Sequence, residues 1–340
     1  MTMRRICLVP HLEGVGGMVS FQAKLAAGLG RLGIEVTTSL ADRPYQSVLV
    51  IGGTRQLAAL WQARRAGIPI VQRLDGRNWL HRQRAVSRRH WLRAEYGNWL
   101  LRFIRDRLSD RVVYQSEFSK WWWERAAGPS QQAEKIIYNG VDLYIYRPDG
   151  AGAPPAGRCR VLLVEGSLMG GYELGLEHAL ELVRLLKKNH QLPAELMVVG
   201  RAADSLRDQV QAVSDVPVIW QGLVPRDNIP ELDRSAHLLF SGDLNPACPN
   251  AVIEALACGL PVLAFDTGAL RELVDAECGR IVPYGGDPWQ LDPPDIASLA
   301  DAAVDIYTQR PAMQAAARRR AETMFGLDEM VSKYVEFLLA

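Results

Sequence analysis

Three glycines, Gly14, Gly16 and Gly17, crowd the loop HLEGVGGMVS between an apolar run and a helical pattern. Glycines there let backbone N–H groups approach a phosphate or a sugar closely; they serve a tight turn equally well. The dinucleotide fingerprint G-x-G-x-x-G is not met, because Val19 stands three positions after Gly16. No acid closes the strand-like Val36–Leu40 to hold a ribose, which argues against a nicotinamide enzyme. A second constellation lies in GDLNPACPNAVIEALACGLPVLAFDTGALRELV, from Gly242 to Val274. Asn250 is placed to cap a helix that ends at Cys258, and a helix N-terminus offers free N–H donors and partial positive charge to a diphosphate. Glu254 lies one turn in. A phosphate would repel it unless it reaches sideways to hydroxyls such as those of a ribose. An ordinary strand–helix–strand unit with a solvated Glu254 accounts for the same residues.

The elements that must position these residues alternate along the chain. RRICLVP, YQSVLVIGG, IPIVQRL, RVVYQS and KIIYN are short apolar runs in the first half. RVLLVEG, AELMVVG, VPVIWQG, HLLFSG and LPVLAF repeat the logic in the second half. Helical spacing lies between them, including one Arg-rich stretch expected to run from about Arg82 to Leu108. Continuous apolar strands between amphipathic helices imply parallel sheets covered on both faces, hence an α/β chain of two doubly wound domains. The Pro- and Gly-rich RPDGAGAPPAGR, Arg147–Arg158, reads as the linker. Two such sheets would present their strand ends to each other across a cleft.

Composition excludes several classes. The 340 residues are 48% hydrophobic and 23% charged with a net charge of +1, so nothing global demands nucleic acid or anionic lipid. No apolar run approaches the ~18 residues that span a bilayer, and the N-terminus lacks the apolar h-region of a signal peptide. Cys7, Cys159, Cys248, Cys258 and Cys278 form no C-x-x-C pair, which fits reduced thiols in a cytoplasmic protein. Between Arg73 and Arg111 stand eleven Arg and four acids, with Trp79, Trp91, Trp99 and Phe103 interleaved. Such a segment suits an anionic membrane or acceptor, or a solvated helix whose Arg stems cover apolar surface; nucleic acid is the least favoured partner.

PNAVIEALACGLPVLAFDTGALRELV resembles the donor-binding signature of the family-four retaining glycosyltransferases, the sugar-nucleotide enzymes of the GT-B fold. GVGGMVSFQAKLAAGLGRLGIEVT is similar to that family's first loop and helix, IIYNGVDLYIYRP to its interdomain hinge, and VIWQGLVPRDNIPELDRSAHLLFSG to the stretch framing the nucleobase. The resemblance covers nearly the whole chain. It implies two Rossmann-like domains, residues 1–150 on the acceptor side and 151–325 for the nucleotide sugar, with a helix over 326–340 returning to the first domain. It implies transfer of a sugar from a nucleoside diphosphate to an acceptor hydroxyl with retained configuration.

Carried over by position, Gly16 and Gly17 would lie under the donor phosphates, and Asn250, Ala251 and Val252 would offer the helix start to the diphosphate. Glu254 would take the ribose hydroxyls, Leu223 would meet the base through its main chain, and Asp75 in RLDGRNW would lie near the transferred sugar. No metal or other cofactor is implied, since there is no Asp-x-Asp. Departures stand beside these matches. Ser167 occupies the family's Arg position, Gly170 stands at or near its Lys position, and Pro246 stands where the first acid of Glu-x7-Glu belongs. Lost leaving-group cations weigh heavily on catalysis. Arg201 is the first replacement expected, with Arg73 or Arg77 from the other domain, and Asp243 for the missing acid. Two other readings follow from the departures: a nucleotide-sugar-binding protein without turnover, and an anionic-surface adaptor acting through the Arg-rich segment. The expected place is the cytoplasm, with Arg82–Arg107 available for the inner membrane face.

Overall fold

The computed structural model describes residues 4–14, 16–169 and 173–340. The chain divides into two compact units, one reaching to Gly140 and joined by Leu327–Ala340, the other Val141–Gly326. The first division cuts the NGVD motif between Gly140 and Val141. It does not fall in the Pro- and Gly-rich run. That run is fastened into the second unit, because Arg234 donates through Nε to the Ala151 carbonyl at 2.6 Å and through Nη1 to the Arg147 carbonyl at 3.0 Å.

The first unit holds one parallel sheet of β1 (Arg5–Val9), β2 (Glu35–Thr37), β3 (Ser47–Ile51), β4 (Ile70–Leu74), β5 (Arg111–Tyr114) and β6 (Ala133–Ile136). The spatial order is β2-β1-β3-β4-β5-β6. Its helices are α1 (Gly17–Arg31), α2 (Leu57–Arg65), α3 (Arg88–Phe103) and α4 (Glu117–Ala127). The Arg-rich segment is therefore not one helix from Arg82. A 3-10 turn over Leu80–Arg82 is followed by a break, and Ser87 starts α3 by accepting from the His90 amide at 3.3 Å. A π turn over Ile104–Leu108 closes the segment.

Five strands of the second unit follow the sequence reading closely, and a sixth completes the sheet: β7 (Cys159–Ser167), β8 (Ala194–Arg201), β9 (Val218–Gly222), β10 (Leu238–Ser241), β11 (Val262–Phe265) and β12 (Gly279–Val282). They stand parallel in the order β12-β11-β10-β7-β8-β9. Around them run α5 (Glu173–His190), α6 (Asp204–Val213), α7 (Ile229–Arg234), α8 (Asn250–Ala257), α9 (Leu270–Leu273) and α10 (Ile296–Met324). The last helix, α11 (Leu327–Leu339), belongs to the first unit. Its Leu327, Met330, Val331, Tyr334 and Leu338 enter one apolar cluster with Ile6, Phe21 and Leu25.

Each winding reverses direction once. In the first unit the chain goes from β1 out to β2 and returns to β3 on the other side; in the second it leaves β7 toward β9 and returns at β10. In doubly wound sheets the loops after the strands part at such a reversal and leave a crevice beyond the carboxyl ends. The residues after β1, β3, β7 and β10 are therefore where a ligand site is expected.

Candidate functional site

At the β7–β10 reversal two carboxyls meet. Glu165 lies near the end of β7 and Asp243 follows β10. Burial pushes Asp243 up to about 6, and burial together with the nearby Asp243 charge holds Glu165 well above the usual carboxylate range. Both carboxyls are thus pushed toward their protonated forms. The backbone on either side of the pair is closely packed. A Cβ at Gly242 would stand 2.7 Å from the Gly175 Cα, and a Cβ at Gly200 would stand 2.1 Å from the Glu165 carbonyl oxygen. Gly200 also has φ 143°, open to glycine alone at low cost.

Beside this pair, Ser167 and Arg201 end β7 and β8 as Cα partners across a bulge. The Arg201 side chain is exposed. The structure thus brings the serine at the resembled family's Arg position next to the first replacement named from sequence. Gly170 lies outside the described residues.

Helix α8 is buried nearly all round, with Val252, Ala255, Leu256 and Ala257 at 0% exposure and Glu254 at 8%. Pro249, not Asn250, occupies the capping position, and no side chain caps the helix there. Pro lacks an N–H and a polar side chain, so Pro249 offers the helix no side-chain cap, and helix geometry leaves the amides of Ala251 and Val252 without an intrahelical acceptor. The loop before the helix is braced by a close approach: a Cβ at Gly268 would stand 2.4 Å from the Pro246 nitrogen, and the Ala269 amide donates to the Pro246 carbonyl at 2.9 Å. Pro246 therefore fills the place of the missing acid as a packed turn residue. Its neighbour Asn245 has φ 55° and is buried, and its Nδ2 has no hydrogen-bond partner among the described residues.

Behind Glu254 sits a second polar cluster. Asp233 on α7 is 1% exposed, with Oδ2 unpartnered among the described residues. Burial, then the Glu254 charge, hold its carboxyl well above the usual range, while a hydrogen bond with the Cys258 thiol opposes them. Burial followed by the Glu254 and Asp233 charges raises the Tyr146 hydroxyl. Arg318 on α10 ties this corner together: its Nη1 donates to the carbonyls of Tyr146 at 2.7 Å and Ala257 at 2.9 Å. A guanidinium on the last carbonyls of α8 also complements the helix dipole.

In the first unit, Gly16 takes φ 140° and its carbonyl accepts from the Ser20 amide at 3.0 Å, opening α1 at Gly17. A Cβ at Gly16 would meet nothing within 4 Å among the described residues. Gln22 holds the preceding loop, accepting from the Leu12 amide at 2.9 Å and donating to the Pro10 carbonyl at 2.7 Å. Asp75, half-buried after β4, has its carbonyl fixed by Trp123 Nε1 at 2.8 Å and Ser119 Oγ at 3.2 Å. Burial raises its carboxyl against the pull of Arg73. Arg73 itself is 1% exposed, stacked 3.7 Å over Phe21 and bonded to Asn139 Oδ1 at 2.8 Å. It is an internal brace of the first unit, so it corrects the expectation that it stands ready to replace a lost cation. Arg77 is half-buried, 5.3 Å over Trp123. Leu223 follows Gly222 at 45% exposure. Among the described residues no group of three His, Cys, Asp or Glu side chains gathers as a metal-holding cluster.

Glu165, Asp233 and Asn245 were missed by sequence reasoning. Glu165 was findable, since a carboxylate in the last positions of an apolar strand points to a crevice. Asp233 and Asn245 carry no such signal; only packing shows that they are buried.

Residues 159–309 match the family model described as "Glycosyl transferases group 1". A curated relative, the 2-deoxystreptamine N-acetyl-D-glucosaminyltransferase of Streptomyces fradiae, is 24% identical over 137 residues, which is 40% of this chain and 29% of the relative. The match thus spans under a third of that protein's length. Among solved structures, sucrose-phosphate synthase of Thermosynechococcus elongatus superposes with a TM-score of 0.74 at 15% identity, covering 98% of each chain. HepE of Anabaena in complex with UDP-glucose gives 0.70 at 18%, covering 99% of each. A glycosyltransferase of Rickettsia africae gives 0.71 at 15%, covering 99% of this chain and 98% of its own. Residues 159–309 therefore carry the sequence pattern of the group 1 glycosyltransferases, and the chain carries the GT-B fold of these structures.

Proposed function

We propose that the protein is a retaining glycosyltransferase that moves a hexose-like sugar from a nucleoside diphosphate to an acceptor hydroxyl. The observation that supports this best is α8: an eight-residue helix with no side-chain cap at Pro249 and a buried Glu254 one turn in, inside the stretch that matches the family model. In this reading the amides of Asn250, Ala251 and Val252 hold the diphosphate and Glu254 takes the ribose hydroxyls. Leu223 meets the base through its main chain, and Ser167 with Arg201 stands at the leaving oxygens. Gly16, Gly17 and Asp75 are the contribution of the first unit, with Asp75 serving the transferred sugar. Because HepE of Anabaena forms a complex with UDP-glucose, uridine is the first base to try. Arg201 supplies the charge that two absent cations would otherwise supply; the departing diphosphate accepts the acceptor's proton. No metal or cofactor is required by this reading.

The test is thermal shift against nucleoside diphosphates and sugar nucleotides, with Glu254→Ala alongside. Ligand at ~100-fold over Kd adds about 2.7 kcal/mol, enough to move the Tm by several degrees. A selective shift lost in Glu254→Ala is expected; no shift with any nucleotide overturns the reading. A second reading, a nucleotide-sugar binder without turnover, is favoured by Ser167 and Pro246 in the places of the Arg and the acid. A shift without donor hydrolysis or transfer would select it.

A further inference from the structure

Helix α3 carries apolar side chains on two sides. Asn98 and Leu100 are buried in the first unit. On the outward side Leu92, Tyr96 and Trp99 recur at i, i+4 and i+7, one stripe of a helix, and Phe103 at i+11 carries it down onto the first unit's core, against which it packs. Leu92 is 62% exposed, Tyr96 45% and Trp99 51%. The rings stack along the stripe, Tyr96 on Trp99 at 5.8 Å and Trp99 on Phe103 at 5.2 Å. Trp91, also exposed, stands on the flank of the helix about 100° round from Leu92, and Val86 is exposed just before the helix starts. No helix among the described residues is long and apolar enough to cross a membrane, so this is a surface and not a span.

The arginines of the segment sort into two sets. Arg73 and Arg105 are buried; Arg82 is paired with Glu95 at 2.6 Å, Arg102 with Asp106 at 3.3 Å, and Arg111 bonds the Phe337 carbonyl at 2.7 Å. Arg88, Arg89 and Arg93 are exposed and have no ion-pair partner among the described residues. At 100° per residue Arg88 falls on one side of the apolar stripe and Arg89 and Arg93 on the other. An exposed apolar stripe of this kind marks a binding surface, and stacked Trp and Tyr rings suit an interface with one apolar and one wet side. Flanking cations without acidic partners select an anionic occupant.

We propose that the outward face of α3 docks the first unit on an anionic lipid surface. Leu92, Tyr96 and Trp99 enter the boundary between headgroups and acyl chains, and Arg88, Arg89 and Arg93 contact the headgroup phosphates. The face shares no residue with α8, so this stands or falls apart from the transferase reading.

Co-sedimentation of the full chain with vesicles tests it, using phosphatidylcholine alone and phosphatidylcholine mixed with phosphatidylglycerol. Binding to the anionic vesicles only, weakened by salt and accompanied by a blue shift of tryptophan emission, is expected. The triple variant Arg88→Ala, Arg89→Ala, Arg93→Ala should lose roughly a hundredfold in partitioning. Trp99→Ser and Leu92→Gln should each weaken it, and Glu254→Ala should bind as the native chain does. The variants alter exposed side chains, so an unchanged Tm confirms that they fold; should Trp99→Ser melt lower, Leu92→Gln carries the apolar arm. Equal binding to both vesicle types, no binding at low salt, or variants that partition like the native chain would overturn the proposal. So would a concentration-dependent dimer abolished by the same variants, which would assign the face to a second copy.

Discussion

Ser167 and Arg201 are Cα partners at the ends of β7 and β8, and the Leu168 amide just beyond them donates to the Arg201 carbonyl at 2.8 Å. The guanidinium therefore starts from a backbone position locked beside the one that lost its cation. Its side chain is exposed and bonds to no other side chain or carbonyl among the described residues.

Arg201→Ala should lower kcat/KM by roughly 10²–10³-fold, the scale of removing one charge-stabilising donor. Arg201→Lys should retain part of the activity. Thermal stability should change by less than about 0.5 kcal/mol, as for other surface substitutions. Steady-state kinetics with the donor chosen by thermal shift, next to a melting curve, check both statements. Native kinetics in Arg201→Ala would remove it from the leaving-group site.

The Glu165–Asp243 pair makes stability depend on pH with a definite sign. Asp243 sits near 3.8 when exposed and is pushed up to about 6 in the fold. Between those values the native state binds more protons than the unfolded chain, so unfolding free energy falls as pH rises through that window. Asp243→Asn should flatten the decline between about pH 4 and 6 and raise the Tm at pH 7 by a few degrees. Urea denaturation at a series of pH values reads it directly. A native chain whose stability rises across the window would show that burial does not hold the Asp243 carboxyl above its ordinary value.

Gly200→Ala should be severe. It would put a Cβ 2.1 Å from the Glu165 carbonyl oxygen at a φ of 143°. A loss of about 2–4 kcal/mol is expected, from strain and a displaced backbone together. Gly16→Ala has the same kind of φ but no neighbour within 4 Å among the described residues, so its cost should stay near 1 kcal/mol. Urea midpoints of the two variants give the comparison.

Tyr334→Ala tests the return of the C-terminal helix. Tyr334 is 0% exposed and packs against Phe21 with ring centroids 5.2 Å apart. Its loss should cost about 3–5 kcal/mol, as for other buried aromatics cut to alanine. Trypsin should then cleave near Lys333 far faster than in the native chain. An unchanged melting curve would detach α11 from the first unit's core.

Sequence by itself determined the layout. Runs such as RVLLVEG and LPVLAF can be stable only when covered on both faces, so the alternation of apolar strands and helices leads to parallel doubly wound sheets. Local signals of glycine, helix and strand located Gly16, Arg201 and Glu254 at strand ends or helix starts, because those signals act over a few residues; Ser167 came from the family resemblance alone. Tertiary structure decided what local pattern does not encode. Arg73 and Arg201 look alike in sequence, each at the end of an apolar strand. One is sealed between Phe21 and Asn139 and the other stands in solvent beside Ser167. Arg147–Arg158 has the composition of a linker, yet Arg234, far along the chain, fastens it to the second unit. Eleven arginines from Arg73 to Arg111 suggest a basic surface. Packing buries or pairs several of them and leaves Arg88, Arg89 and Arg93 around an outward aromatic stripe, because side-chain exposure is set by neighbours remote in sequence.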